Sequence, residues 1–232
     1  MGFDYYSSYF VLVLPAVLFA MWAQMNVSIT FKKYSSVQTS SHISAADAAR
    51  MVLEKNGVSG VAIEHINGNL TDCYDPRTNK IYLSDSVYSS SSAAAIGVAC
   101  HEAGHAVQFA KGYTPVKIRT AIIPLCSVSS NIAMPLVILG IILDAFNLAL
   151  IGVAAFAVAT LFQLVTLPVE FNASARAMEA IKGCSYMNGD DISAARKTLR
   201  AAALTYVAAL FVSLANLLRL IILVSGSGNR KR

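Results

Sequence analysis

Charged side chains are scarce in this sequence. Asp, Glu, Lys and Arg together make up 13% of its 232 residues, whereas hydrophobic residues make up 56%. A soluble domain usually carries about 25% charged residues. The shortage of charge argues against an ordinary soluble domain and indicates a chain that lies largely in lipid.

Cysteine is also rare and is irregularly spaced. The chain has four cysteines without any C-x-x-C pair, namely Cys73, Cys100, Cys126 and Cys184. Such spacing argues against a structural disulfide and is typical of buried thiols in a reducing compartment. The net charge of +5 comes without a basic run with interleaved aromatics. We therefore expect no nucleic-acid partner and ascribe the excess of Lys and Arg to membrane-flanking positions.

Apolar runs are abundant, and four of them are candidates for membrane spans. They cover residues 9–23 with an extension back towards Phe3, 122–143, 145–167 and 201–224. A helix that spans a bilayer needs about 20 apolar residues. A cleaved signal peptide is the alternative for the first run. However, no basic residue precedes the run and no Ala-x-Ala site closes it, so we predict an uncleaved span.

The segment between the first two runs is more polar and predicts a small α+β unit. Ser44 and Asp47 have the form of a capping box, with Asp in place of Glu, which opens a helix that ends near Asn56. A second helix is predicted over residues 93–110, where Ser91 or Ser92 provides the cap.

Three strands are predicted between these two helices. Residues 61–66 alternate like a short strand, and residues 70–74 and 80–84 flank a hairpin turn of about five residues. The strand over 80–84 precedes the second helix and is a candidate for binding a substrate by strand addition.

The helix over 93–110 contains the motif H-E-x-x-H as His101, Glu102 and His105. Positions i and i+4 lie on one face of a helix, so both imidazoles can bind one zinc ion. Glu102 is placed to accept a proton from a water on that ion. Gly104 between the histidines is costly in a helix and indicates a close approach of another segment. A helix with two merely packed histidines is the alternative.

A zinc site of this kind needs a third protein ligand. Glu170 directly follows the third apolar run, on the same predicted side of the membrane as His101. A carboxylate at the membrane boundary needs a positively charged partner. This partner is a metal ion or, as the alternative, Arg176. We predict Glu170 as the ligand. The other candidates for this position are His65, Glu179 and Asp190.

The distribution of basic residues predicts the orientation in the membrane. With four spans, residues 25–120 and 168–200 lie on one side, and these two segments hold most of the Lys and Arg. Cytoplasmic segments carry the excess of basic residues. The sequence thus predicts a bacterial cytoplasmic-membrane protein whose candidate site faces the cytoplasm.

Several motifs resemble those of the YugP-like membrane zinc metallopeptidases. They are spread over nearly the whole chain, at Trp22–Gln24, Thr71–Arg77, His101–His105, Gln163–Phe171 and Arg200–Val207. The chain is more distantly similar to the HtpX and CAAX-prenyl-protease group, a gluzincin-like group in which a later helix opens with E-Y-x-A-D. Here Glu170–Ser174 matches that segment except that Ser174 stands for Asp, a residue that helps orient a ligand in those relatives.

The resemblance implies a membrane-bound zinc peptidase that acts on a peptide or protein substrate, with His101, His105 and Glu170 as ligands and Glu102 as general base. Stabilisation of the oxyanion and support of the ligands fall to Ser174, Arg176 or Tyr206. Two alternatives stay open. One is a site-2-type intramembrane protease that uses Asp144, and the other is a zinc-binding scaffold or transporter without enzymatic activity.

These predictions amount to a mainly α membrane protein with four transmembrane helices and a small α+β zincin-like unit. In chain order we expect a first span (1–24), a linker (25–43), the α+β unit (44–120), spans two and three (121–167), a helical segment with the third ligand (168–200), a fourth span (201–224) and a disordered tail (225–232).

Overall fold

The computed structural model describes residues 8–40, 42–183 and 187–228, and these residues are mainly helical. The described helices are α1 (Leu14–Ser35), α2 (Ala45–Lys55), α3 (Ala93–Ala110), α4 (Thr114–Ile142), α5 (Phe146–Lys182) and α6 (Gly189–Gly228), with a π-helical turn over Tyr9–Val13 ahead of α1. The strands are β1 (Ala62–Ile66), β2 (Cys73–Asp75) and β3 (Lys80–Ser84).

Four helical stretches in the described part of the chain are long and apolar enough to cross a membrane. They are the stretch from Tyr9 to Ser35, α4, α5, and α6 as far as Gly226. Only 17 to 22% of the most apolar window of each stretch is buried inside the protein. Apolar faces of this length need a hydrocarbon environment. The predicted number of four spans is confirmed by length and composition.

The described chain divides into two compact units. The first contains the residues up to Ala23, Ile118–Leu167, and the residues from Thr205 onward. In this unit Gly140 lies against the backbone of Ala149, where a Cβ atom has no room. Small residues let membrane helices approach each other closely. A small apolar core forms in this unit, from Val137, Ala149, Val153, Leu220 and Val224.

The second unit consists of Gln24–Lys117 and Pro168–Leu204. Its core is built largely from alanines of α2, α3, α5 and the beginning of α6. As predicted, both short helices are capped by serine. The Ser44 hydroxyl accepts a hydrogen bond from the Asp47 amide, and the Ser92 hydroxyl accepts one from the Ala95 amide. These caps fix the beginnings of α2 and α3.

A three-stranded sheet in the second unit has the order β1-β3-β2. The β1 strand pairs with β3 in parallel, with Ile63 opposite Ile81, and β2 pairs with β3 antiparallel, with Tyr74 opposite Ile81. Because β3 is paired on both sides, the prediction that residues 80–84 bind substrate by strand addition is wrong. The parallel pairing with β1 is non-local and leaves no mark in the sequence.

Helix ends differ from the predicted boundaries. The linker expected over 25–43 is helical as far as Ser35, because α1 continues beyond its apolar part. Similarly, α5 passes Pro168 without a break and ends at Lys182, so the segment expected over 168–200 consists of the end of α5 and the beginning of α6. The expected tail is helical to Gly228. Residues 1–7, Cys184 and the last four residues, on which predictions were also made, lie outside the described part.

Candidate metal centre

The two histidines of the motif lie on neighbouring turns of α3. Their ring centroids are 4.7 Å apart and the ring planes are nearly perpendicular. Only 13% of the His101 side chain and 11% of the His105 side chain is exposed. Helical spacing thus brings two largely buried imidazole groups together, as the sequence predicts.

Glu170 on α5 is the third member of the group formed with His101 and His105. Its Oε2 atom lies 3.2 Å from Nε2 of His101 and 3.4 Å from Nε2 of His105, and 2% of its side chain is exposed. A buried carboxylate needs a positively charged partner or several hydrogen-bond donors. The two imidazoles and the carboxylate therefore direct three possible ligand atoms at one small volume.

The distances suit a zinc ion. Two ligand atoms bound at about 2.0 Å in a tetrahedral site lie about 3.3 Å apart. The two distances between the Glu170 oxygen and the histidine nitrogens are close to this value. In the part of the chain that the structure describes, this is the one group of three or more His, Cys, Asp or Glu residues whose donor atoms all lie within 4.8 Å of one another.

Gln108, a fully buried residue of α3, determines which nitrogen of His105 carries the proton. The Gln108 Nε2 atom donates to the carbonyl oxygen of Val169 at 2.8 Å, and Oε1 lies 3.0 Å from Nδ1 of His105. A carbonyl oxygen can only accept, so the atom that faces Val169 must be the amide nitrogen. The Gln108 oxygen therefore accepts a hydrogen bond from Nδ1–H of His105. In the neutral imidazole this leaves Nε2 unprotonated and able to bind a metal.

The same network continues along α5. The Gln108 amide also donates to Oδ1 of Asn172 at 3.0 Å, and this oxygen accepts a second hydrogen bond from Nε of Arg176 at 2.8 Å. Arginine can only donate, which fixes the orientation of the Asn172 amide. Arg176, a candidate for stabilising the oxyanion, thus contacts the network that holds His105.

His101 is supported by a different group. Its Nδ1 atom lies 3.1 Å from the hydroxyl of Ser174, one turn of α5 after Glu170. Ser174 is the residue that departs from the pattern of the HtpX-like relatives, and its hydroxyl contacts His101. A hydroxyl can donate or accept, so this contact does not by itself fix the tautomer of His101.

Glu102 lies beside the histidines and is held by the sheet. Its Oε2 atom accepts a hydrogen bond from the backbone amide of Tyr74 in β2 at 2.9 Å. Burial raises the pKa of the Glu102 carboxyl, although the nearby His101 and His105 oppose this effect. A raised pKa makes a carboxylate a stronger base. Glu102 thus has the position and the environment of a group that accepts a proton.

The two carboxylates also affect His105. Burial lowers the pKa of this imidazole, but the contact with Glu170 and the charge of Glu102 outweigh burial and leave the pKa raised. The surroundings therefore favour positive charge at this position. This is the electrostatic condition that a cation-binding site requires.

Gly104 permits α3 and α5 to approach each other. A Cβ atom at this position would lie 2.6 Å from the carbonyl oxygen of Ala173. Along α3, Gly104 lies between the two histidines. Along α5, Ala173 lies between Glu170 and Ser174. The close approach expected from the glycine is confirmed, and it brings the two sets of side chains within reach.

The structure does not bring every predicted residue to this group. His65, an alternative third ligand, is instead exposed, and its Nε2 atom lies 2.7 Å from Oδ1 of Asp85. The other two alternatives, Glu179 and Asp190, are not members of the group of three. Tyr206 and Asp144 belong to the first compact unit, so a role for either in this site stays a prediction.

Three groups that support the site are not predicted from the sequence: the side chains of Gln108 and Asn172, and the backbone amide of Tyr74. A signal for the first was available, because Gln108 is a polar residue three positions after His105 in an apolar helix. Asn172 is two positions after Glu170, but its partner is 64 residues away. The amide of Tyr74 is a backbone group and carries no side-chain signal.

Two histidines and a glutamate that could hold a metal ion, in a chain with four long apolar helices, indicate the class of a membrane protein with a candidate metal centre. The chain belongs to the family described as "Putative neutral zinc metallopeptidase", whose pattern it matches over residues 9–225.

A curated relative supports this assignment. Over 212 residues the chain is 42% identical to "Putative membrane protease YugP" of Bacillus subtilis (strain 168), and the match covers 91% of this chain and 94% of the relative. No solved structure matches the chain. The resemblance noted in the sequence is thus confirmed at the level of the family, which together with the four apolar helices indicates an integral membrane protein.

Proposed function

We propose that this protein is a membrane-embedded, zinc-dependent endopeptidase of gluzincin-like type. The observation that carries the proposal is the convergence of His101, His105 and Glu170 within bonding range of one ion, with Glu102 beside them. The name of the family and the name of the relative from Bacillus subtilis agree with it.

His101, His105 and Glu170 would hold the zinc ion. A bound zinc lowers the pKa of its water towards about 7 and polarises the carbonyl of the peptide bond. Three protein ligands leave a fourth position open for water or substrate, which distinguishes a catalytic site from a structural one. The Gln108 contact keeps Nε2 of His105 unprotonated for this purpose.

Glu102 acts as general base and then as general acid. One carboxylate oxygen is fixed by the Tyr74 amide, and the carboxylate accepts the proton of the attacking water. The same proton is then delivered to the nitrogen of the leaving amine, so that the carboxylate is regenerated. The raised pKa of Glu102 favours the first step, because a carboxylate with a raised pKa is a stronger base.

The proposed location is the cytoplasmic membrane, with the site on the cytoplasmic side. The distribution of Lys and Arg supports this orientation, since the polar segments on one side of the four spans hold most of them. The substrate is a peptide or a protein, and membrane proteins are natural candidates because they share the same bilayer. The lipid bilayer itself is the other partner.

The proposal is tested by the Glu102→Gln variant. Zinc content and hydrolysis of a fluorogenic peptide mixture are measured on purified protein in detergent, with Glu179→Gln as the control, because Glu179 is an exposed glutamate on α5. We expect Glu102→Gln to keep its zinc and to lose about 10²- to 10⁴-fold in rate, the range for a general base. Hydrolysis by Glu102→Gln at the wild-type rate would refute the role of this residue.

A further inference from the structure

Two lysines from distant parts of the chain converge on one aromatic ring in the second compact unit. The Nζ atom of Lys33, near the end of α1, lies 5.5 Å from the centroid of the Tyr34 ring. The Nζ atom of Lys197, on α6, lies 5.8 Å from the same centroid. Tyr34 packs against the core of the unit, so the ring is a fixed platform for both ammonium groups.

These ammonium groups have no carboxylate partner among the described residues. The ion pairs that Lys and Arg form in that part of the chain are Arg50 with Asp47 and Lys80 with Glu64, both elsewhere. The face of an aromatic ring attracts a cation but does not neutralise it. Two like charges gathered at one ring therefore leave a local excess of positive charge that an anion can offset.

The dipole of α1 explains the position of Lys33 but not that of Lys197. Lys33 lies in the last turn of α1, where a basic residue stabilises the helix dipole. Lys197, in contrast, lies well inside α6, which begins at Gly189. The Tyr34 ring attracts its ammonium group, but this contact brings a second positive charge to the ring that Lys33 already approaches. A shared anionic ligand would offset the repulsion between the two charges.

Both lysines lie where an apolar helix leaves its apolar part. Lys32 and Lys33 lie in the last turn of the candidate span Tyr9–Ser35. Lys197 lies four positions before the apolar run that begins at Ala201, and Arg200 directly precedes this run. Basic residues next to a span lie at the level of the lipid headgroups. The anion within reach at that depth is the phosphate of a phospholipid.

We propose that Lys33, Tyr34 and Lys197 form a binding site for the headgroup of an anionic phospholipid. The two ammonium groups contact the phosphate, and the tyrosine holds them at the required position. This site is separate from the metal centre and does not depend on the proposed peptidase activity.

The test measures lipid binding by native mass spectrometry and by the thermal midpoint of the protein in detergent. Wild-type protein is titrated with phosphatidylglycerol, phosphatidylcholine of the same chain length, or inorganic phosphate. The same titrations are made with the double variant Lys33→Gln/Lys197→Gln. The control is Lys55→Gln/Lys111→Gln, which removes two exposed lysines and changes the net charge equally.

We expect wild type and control to bind phosphatidylglycerol alike and in preference to phosphatidylcholine. Each lysine near an anionic lipid accounts for about a fivefold change in binding, so the double variant should bind about 25-fold more weakly. The variant Lys33→Arg/Lys197→Arg should keep most of the binding. If the double glutamine variant does not fold, Lys197→Gln alone should lose about fivefold.

Three results would overturn the proposal. The first is equal weakening in the control, which would mean that only net charge matters. The second is equal binding of phosphatidylcholine, which would remove the anionic preference. The third is inorganic phosphate binding as tightly as the lipid, which would make free phosphate the ligand.

Discussion

The two histidines of the metal centre are held in contrasting ways. His105 donates to Gln108, whose amide is fixed by Val169 and Asn172, so its tautomer is set by groups that have no alternative arrangement. Nδ1 of His101 instead contacts the Ser174 hydroxyl, which can rotate and can act as donor or acceptor. The site thus has a rigid half, which is His105 with Gln108, and an adaptable half, which is His101 with Ser174. In the proposed enzyme, the rigid half would define the position of the ion.

The largest effect is expected at Gly104, because the contact between α3 and α5 at this residue positions both histidines. Gly104→Ala places a methyl group 2.6 Å from the Ala173 carbonyl, so α3 and α5 must separate. Overpacking of this kind costs about 1–3 kcal/mol or more. The expected result is a clearly lower thermal midpoint together with loss of zinc from both halves.

Gly97→Ala on the same helix is the matched control. There a Cβ atom would lie 3.5 Å from its nearest neighbour, Ala195, which is ordinary contact. Alanine in a helix is about 1 kcal/mol more favourable than glycine, so the midpoint should stay equal or rise. Equal destabilisation by the two substitutions would contradict the close approach at Gly104.

The next largest effect is expected in the rigid half. Gln108→Leu fills a similar volume but removes the acceptor for Nδ1–H of His105 and the donor to Val169. Loss of such an outer contact typically lowers metal affinity by 10- to 100-fold, and we expect the upper end, about 100-fold. A competition assay with a zinc chelator measures the affinity. An unchanged affinity would show that His105 is not positioned by this amide.

A smaller effect is expected in the adaptable half. Ser174→Ala removes one hydroxyl contact to His101 and leaves Glu170 and the His105 network intact. The affinity for zinc should fall by about tenfold, the lower end for such contacts. The same chelator competition serves as the measurement. A loss larger than that of Gln108→Leu would reverse the assignment of the two halves.

The local features of this fold could be predicted well from the sequence. The bounds of α3, its serine cap and the hairpin between β2 and β3 follow from short-range signals, as do the four apolar spans. Helix lengths could not be predicted as well, because apolarity marks the part of a helix in lipid and not its polar continuation. For this reason α1 reaches Ser35 and α5 passes Pro168.

The site was predictable to the extent that spacing within one helix defines it. His101, Glu102 and His105 form a local pattern, and the place of Glu170 directly after the third apolar run indicates it as the third member of the group. The supporting contacts join residues far apart in the chain, such as Gln108 with Val169 and Asn172, or Tyr74 with Glu102. Such pairs depend on how α3 meets α5 and the sheet, which a single sequence does not display.

The central claim is that Glu170 and the two histidines bind one zinc ion together. Its most direct test is the zinc content and affinity of purified wild type, Glu170→Gln and the exposed-site control Glu179→Gln. The account predicts one zinc per chain in wild type and control. In Glu170→Gln the affinity should fall by more than about 100-fold, beyond the range for outer contacts. Full zinc content with wild-type affinity in Glu170→Gln would contradict the account.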